Sequence, residues 1–277
     1  MNSNYFTRKL VPCQRDCRIL IDPEIQGLEG YVESFGFEWT KIDGFIGKEA
    51  MSHGHIFGRF LLPPNFFANK LVVDVGCGNG RIGRLVAPHC GEYIGLDLSE
   101  SVYAFPSYLN NQNNITLVRA SGTNLPLESK FSEVTICWGV LHHMDDPRKG
   151  IRELLRITKP GGEILIFIYS NAYHGRKNLN QFSKHLDQKG NHQLIESVSD
   201  YLDSWREVDQ FYADLLSRNL FMSVKQSREW QIFQWFDGIT PQFHWAFQDE
   251  LEEILNKEKT EYIKTQDGCY RITKGYE

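Results

Sequence analysis

Three glycines at alternate positions, Gly76, Gly78 and Gly80, follow the apolar run Leu71-Val72-Val73-Asp74-Val75, and a second carboxylate, Asp97, lies 23 residues after Asp74. Glycine lets a backbone turn tightly and approach a ligand with no Cβ in the way. The helical text that begins at Arg81 would aim free N–H groups at an anion. A carboxylate ending the next strand can accept hydrogen bonds from both hydroxyls of a ribose. Together these features point to a ligand that contains a nucleoside. Gly78-Asn79-Gly80-Arg81-Ile82-Gly83 formally matches the G-x-G-x-x-G dinucleotide fingerprint, with Asp97 suitably downstream, so NAD(H) is a competitor. The strand ends at Val75, however, and a turn opening at Gly76 fits that end better. A P-loop is excluded, because no Gly-Lys-Ser/Thr follows the glycines.

The elements that position these residues are legible from period and punctuation. Leu71–Val75 reads as a buried parallel strand, Tyr93–Leu96 as a second, Ile115–Val118 as a third and Val134–Trp138 as a fourth. Asp146 is a good N-cap and Pro147 suits the first helical position, where its missing N–H costs nothing. Ile151, Leu154 and Leu155 then give the apolar stripe of a helix packed on a sheet. Lys159-Pro160-Gly161-Gly162 stops that helix and Glu163–Tyr169 forms a fifth strand. Alternating strands and helices with short joins mean an α/β fold with a mostly parallel sheet. A helix near Phe247–Leu255 precedes two last strands, Thr260–Lys264 and Cys269–Ile272, joined by a turn at Asp267-Gly268.

Four segments result: an N-terminal cap over 1–70, the nucleoside-binding core over 71–169, a helical lid over 170–245, and a C-terminal helix and hairpin over 246–277 that complete the core. The cap lacks a clean period around Phe35-Gly36-Phe37-Glu38-Trp39 and reads as irregular chain packed on the core, or covering a ligand. The lid segment is too long for a plain loop and contains Trp205, Trp230, Trp235 and Trp245.

Composition narrows the function classes. The 277 residues are 41% hydrophobic and 23% charged, with a formal net charge of -5. That is a globular composition, and the negative balance disfavours a broad nucleic-acid footprint. No apolar run approaches the ~20 residues of a membrane span, and no signal peptide is evident. Six scattered cysteines in a chain of this size suit a reducing compartment, so a cytoplasmic location is expected. Cys13 and Cys17 invite a zinc reading with His53 and His55, but two unrelated thiols explain them better, and no metal is expected.

Beyond the glycine loop a resemblance emerges. Val73-Asp74-Val75-Gly76-Cys77-Gly78-Asn79-Gly80-Arg81 resembles the first motif of class I S-adenosylmethionine-dependent methyltransferases. The likeness continues through Gly95–Ser99, Asn124–Leu127, Val140–Pro147 and Arg152–Gly162, in the family's order over roughly 71–169. Phe35–Trp39 and Trp235–His244 look, more loosely, like flanking segments of a bacterial small-molecule branch. The resemblance implies a seven-stranded Rossmann-like methyltransferase sheet of order 3-2-1-4-5-7-6, its last strand antiparallel, with S-adenosyl-L-methionine as cofactor. Asp74, Gly76, Cys77, Gly78, Asn79, Gly80 and Arg81 would wrap its methionine part. Asp97 would hold the ribose, and Leu98 would pack on the adenine. Where many members carry an Asp that touches the adenine amino group, this chain has Ser121, followed by Gly122.

Methyl transfer needs alignment and exclusion of water, and a side-chain base only when the acceptor must lose a proton. His142 and His143 lie just past the fourth strand, at the sheet edge where open α/β folds keep their sites. One of them, His143 first, is a candidate for substrate contact or proton removal, against a role in capping the loop before Asp146. Trp138 and Gly139 are expected to line the wall near the donor methyl. Tyr169, Asp237 and His244 are further substrate contacts, and Arg59 or Arg81 could meet the cofactor carboxylate. His174, His185 and His192 show no ligand spacing. No Asn/Asp-Pro-Pro-Tyr/Phe follows the fourth strand, which speaks against a nucleic-acid base as acceptor. The expected activity is methyl transfer to a small molecule. The alternatives are an NAD(H)-dependent oxidoreductase and a partner module that binds S-adenosylmethionine without turnover.

Overall fold

The computed structural model describes residues 5–26, 35–36, 54–63, 65–108, 112–169, 247–258, 260–266 and 268–275. Among the described residues nine strands form one sheet. In chain order they are β1 (Val11–Pro12), β2 (Ile19–Ile21), β3 (Leu71–Val75), β4 (Glu92–Asp97), β5 (Ile115–Arg119), β6 (Ser132–Trp138), β7 (Thr158–Phe167), β8 (Glu261–Gln266) and β9 (Cys269–Thr273). Across the sheet they run β1-β2-β5-β4-β3-β6-β7-β9-β8. The seven strands from β3 onward therefore stand in the expected order, and β9 is antiparallel to both β7 and β8.

The sheet is nine-stranded rather than seven-stranded because part of the N-terminal segment joins it. β2 pairs parallel with β5, placing Ile19 opposite Leu117, and β1 pairs antiparallel with β2. Ile19 is fully buried. This pairing covers the open edge of β5, which would otherwise present unpaired backbone groups. Strands of two and three residues are too short to show a period, so the sequence alone read the region as irregular.

Alternation along the central strands puts a separate core on each face. Val73 and Val75 of β3 join Ile94, Leu96, Ile164 and Ile166 on one face. Val72, Tyr93, Leu117, Ile136 and Leu165 face the other, with Phe60, Phe67 and Phe105. Among the described residues the α-helices are α1 (Gly83–Val86), α2 (Pro147–Ile157) and α3 (Phe247–Lys257). Helix α2 begins as its sequence dictates: the Asp146 carboxylate accepts the Lys149 N–H at 3.0 Å and Pro147 opens the first turn. Ile151 and Leu154 of α2 and Leu251 and Leu255 of α3 pack into the first core. The turn into β9 uses Gly268 at φ +73°, where a Cβ would lie 2.1 Å from the Ile168 carbonyl oxygen.

Residues 170–246 lie outside the described residues, so the helical lid expected over 170–245 does too. No helix of the described residues is long and apolar enough to cross a membrane.

Candidate active site

A cleft opens at the carboxyl ends of β3, β4, β5, β6 and β7. It encloses about 1120 Å³ including its mouth and is lined by residues from all five strand ends. Open α/β sheets bind ligands at this edge, where strand order reverses. The reversal here falls between β3 and β6, which pair directly although β4 follows β3 in the chain.

The glycine loop forms the floor. The Gly76 N–H donates to the Leu96 carbonyl oxygen at 2.7 Å, and the Cys77 N–H donates to the same oxygen at 3.0 Å. The turn thus opens at Gly76, with φ +80°, directly after β3. Its three glycines serve different needs. At Gly76 a Cβ would stand 2.3 Å from Val140, and at Gly80 (φ +93°) 2.3 Å from the Phe105 ring. Gly78 (φ +54°) has no heavy atom within 4 Å of its missing Cβ, so its bare backbone faces open cleft.

Asp97 ends β4 and ties this loop to the next. One carboxylate oxygen accepts the Gly78 N–H at 2.8 Å; the other accepts the Ser99 N–H at 2.8 Å and the Ser99 hydroxyl at 2.6 Å. Burial pushes its pKa up, against the hydrogen bonds from Ser99 and Gly78. The oxygen that accepts from Gly78 keeps a second accepting site. Leu98 and Ser99 follow in the lining, and the end of β5 adds Ala120, Ser121, Gly122 and Thr123. The Ser121 and Thr123 hydroxyl oxygens are 3.0 Å apart.

Asp74, by contrast, is not in the cleft lining. Being even-numbered on β3 it points to the face opposite Val73 and Val75, where the Tyr93 hydroxyl donates to it at 2.5 Å. Its other oxygen is buried with no hydrogen-bond partner. Burial raises its pKa to about 7, with the Tyr93 hydrogen bond opposing and the Asp97 charge adding. Burial likewise pushes the Cys77 thiol well above its usual range, so Cys77 lines the cleft as an un-ionised group.

The β6 and β7 side is aromatic. Trp138, Gly139, His143, Phe167 and Tyr169 line it. A short turn at Leu141–His143 follows β6, with both histidines buried. The His142 ring is 4.2 Å from His143 and 4.4 Å from Tyr169, centroid to centroid. His143 faces the cleft, whereas His142 and Gly80 stand behind its lining. Asp237 and His244 lie outside the described residues.

Of the expected site residues, Gly76, Cys77, Gly78, Asn79, Arg81, Asp97, Leu98, Ser121, Gly122, Trp138, His143 and Tyr169 converge on this one cleft. Phe35 and Phe167 also line the cleft, beyond the residues that the sequence pattern marks. Phe167 precedes Tyr169 by two, the strand period, which was an available signal. Phe35 sits edge-on to His143 at 5.0 Å, a contact across more than a hundred residues with no local signature. Arg81 lines the cleft while Arg59 lies over the Trp138 and Phe167 rings. Cys13 is buried and Cys17 exposed, and none of the six cysteines forms a disulfide among the described residues.

Comparison with known proteins agrees with this geometry. Residues 73–166 match a family model described as a methyltransferase domain. Among similar proteins, a tRNA (carboxymethyluridine(34)-5-O)-methyltransferase of Arabidopsis thaliana is 35% identical over 37% of this chain and 25% of its own length. A demethylmenaquinone methyltransferase of Clavibacter sepedonicus is 33% identical over 37% of this chain and 42% of its own. A ubiquinone biosynthesis O-methyltransferase of Pseudomonas fluorescens is 30% identical over 35% and 43%. The chain thus spans less than half the length of each of these relatives.

Proposed function

We propose that this chain, whose residues 73–166 form a class I S-adenosylmethionine-dependent methyltransferase domain, transfers a methyl group to a small-molecule acceptor by in-line displacement. The observation that carries this reading is the meeting of the Gly76–Arg81 loop, Asp97 and Ser121–Gly122, from three adjacent strands, in one cleft.

The cleft fits S-adenosylmethionine. Gly78 offers a backbone cradle that a Cβ would fill. Asp97 offers a carboxylate oxygen for the ribose hydroxyls, Leu98 an apolar face, and Ser121 a hydroxyl acceptor where a charged group is common. Arg81 is the cleft-lining cation for the cofactor's carboxylate. When bound, S-adenosylmethionine supplies an electrophilic methyl on a sulfonium. The chain's own residues then have three tasks. Gly76–Arg81 and Asp97 fix orientation. Trp138, Phe167 and Tyr169 keep water from the transfer direction. His143 takes a proton where the acceptor must lose one, and Tyr169, Asp237 and His244 are further acceptor contacts in this reading.

A small-molecule acceptor is supported by the net charge of -5 and the aromatic wall of the cleft. The Arabidopsis relative is named for a tRNA substrate, so transfer to RNA is the outcome that would correct this part. A cytoplasmic setting is supported by six cysteines with no disulfide among the described residues. The test is calorimetric titration of cofactor-free protein with S-adenosylmethionine, S-adenosylhomocysteine and NAD(H). Saturable binding of the first two alone is expected, followed by incorporation of labelled methyl into metabolite extract rather than RNA. Binding of NAD(H) alone would replace this reading with an oxidoreductase. Tight S-adenosylmethionine binding with no transfer to any extract favours a binding module.

A further inference from the structure

The acceptor end of the cleft carries information about acceptor charge. Asp97 and Ser121 stand at β4 and β5, on one side of the glycine loop, so the acceptor side is the β6 and β7 end. There the lining rings form a continuous chain of contacts. Trp138 and Phe167 are 4.9 Å apart at an interplanar angle of 39°. Phe167 meets Tyr169 at 5.8 Å, Tyr169 meets His143 edge-on at 5.8 Å, and His143 meets Phe35 at 5.0 Å.

Such a wall by itself suits two opposite ligands. Ring faces attract cations through the ring quadrupole, and they stack planar π-systems. Arg59 decides between them. Its guanidinium carbon lies 5.4 Å from the Phe167 centroid and 5.9 Å from that of Trp138. Both distances are within cation–π range, so the protein's own charge already occupies one side of this ring pair. Arg59 is half-buried, and among the described residues no carboxylate is ion-paired with it. A cationic acceptor on this wall would meet a like charge that no described carboxylate pairs with, in a partly desolvated place, whereas an anionic one would be attracted. Of the two lining carboxylates, Asp97 is engaged by Gly78 and Ser99 on the far side, and Asp145 is exposed.

We infer that the acceptor is a planar aromatic or heteroaromatic ring, neutral or anionic, and that Arg59, behind the Trp138–Phe167 pair, is the specificity-determining residue that rejects cationic acceptors. This rests on the methyl-transfer reading above.

The experiment uses full-length protein saturated with S-adenosylhomocysteine, which permits binding without turnover. Four probes of similar size are titrated: benzoate, phenol, benzylamine and cyclohexanecarboxylate. Benzoate and phenol should bind, with benzylamine and cyclohexanecarboxylate each weaker than benzoate by roughly tenfold. Arg59→Gln should weaken benzoate, strengthen benzylamine and leave S-adenosylhomocysteine affinity unchanged. Benzylamine binding as well as benzoate, or silence from all four probes, would overturn the inference. So would Arg59→Gln weakening S-adenosylhomocysteine but not 5′-methylthioadenosine, which lacks the amino-acid end, since Arg59 would then serve the cofactor. Failure of the wild-type protein to bind S-adenosylhomocysteine at all is a different result: it removes the methyltransferase reading itself, and this inference with it.

Discussion

Two aspartates at the ends of neighbouring strands illustrate how burial separates residues of one type. Asp97 spends its carboxylate on Gly78 and Ser99 at the cleft edge. An amide of the same size loses the charge and half of the accepting capacity. Asp97→Asn should therefore weaken S-adenosylhomocysteine binding roughly 10- to 100-fold, the scale of one charge-assisted hydrogen bond. Unchanged affinity in calorimetry would remove Asp97 from the binding site. Asp74 stands away from the cleft and carries a stability signature instead. Its pKa of about 7 in the folded protein lies above the ordinary carboxylate value, so between about pH 4 and 7 the folded chain holds a proton that the unfolded chain has lost. Stability then falls as pH rises through this window, opposite to the usual aspartate, by up to about 4 kcal/mol. Asp97, also shifted upward, contributes with the same sign. Asp74→Asn should flatten the decline between about pH 4 and 7 in urea melts; an equally steep decline in the variant would show that Asp74 is not its source.

At the scale of elements, the glycine loop divides its labour among positions that look equivalent in sequence. Gly80→Ala would drive a methyl into the Phe105 ring from a positive φ, and should cost about 2–5 kcal/mol of stability. Gly78→Ala has room, so it should cost only about 1–2 kcal/mol for its backbone conformation while abolishing cofactor binding by filling the cradle. Thermal melts and S-adenosylhomocysteine titrations of both variants check this contrast. If Gly78→Ala binds normally, the ligand does not approach that backbone. Helix α2 gives a third test, because its start is set by one side chain. Asp146→Ala should lose about 1 kcal/mol, the worth of an N-cap, in chemical denaturation.

For the whole molecule, the N-terminal segment matters more than a cap would. The Arg8 guanidinium donates to both oxygens of the fully buried Asp22, at 2.8 and 2.5 Å, and also to the Asn124 carbonyl oxygen, fastening β1 and β2 to the sheet edge. Arg8→Ala removes the charge partner of that carboxylate, leaving it the Glu24 N–H, and should destabilise the protein by about 3 kcal/mol in urea unfolding; a change below about 0.5 kcal/mol would mean the edge is held by apolar pairing alone. Its resemblance to the class I methyltransferases implied the β3-to-β9 order and the place of Ser121; by itself the sequence determined the start of α2, the turn at Gly76 and the placing of Asp97, His143 and Tyr169 at strand ends. Each of these follows from local signals, a strand period, a cap or a glycine at a strand end, acting through a topology with few right-handed solutions. Only the tertiary structure decided that β1 and β2 extend the sheet and that Phe35 and Arg59 reach the aromatic wall of the cleft. Those outcomes depend on which distant surfaces meet, and a contact between residues far apart in the chain leaves no pattern in either segment alone.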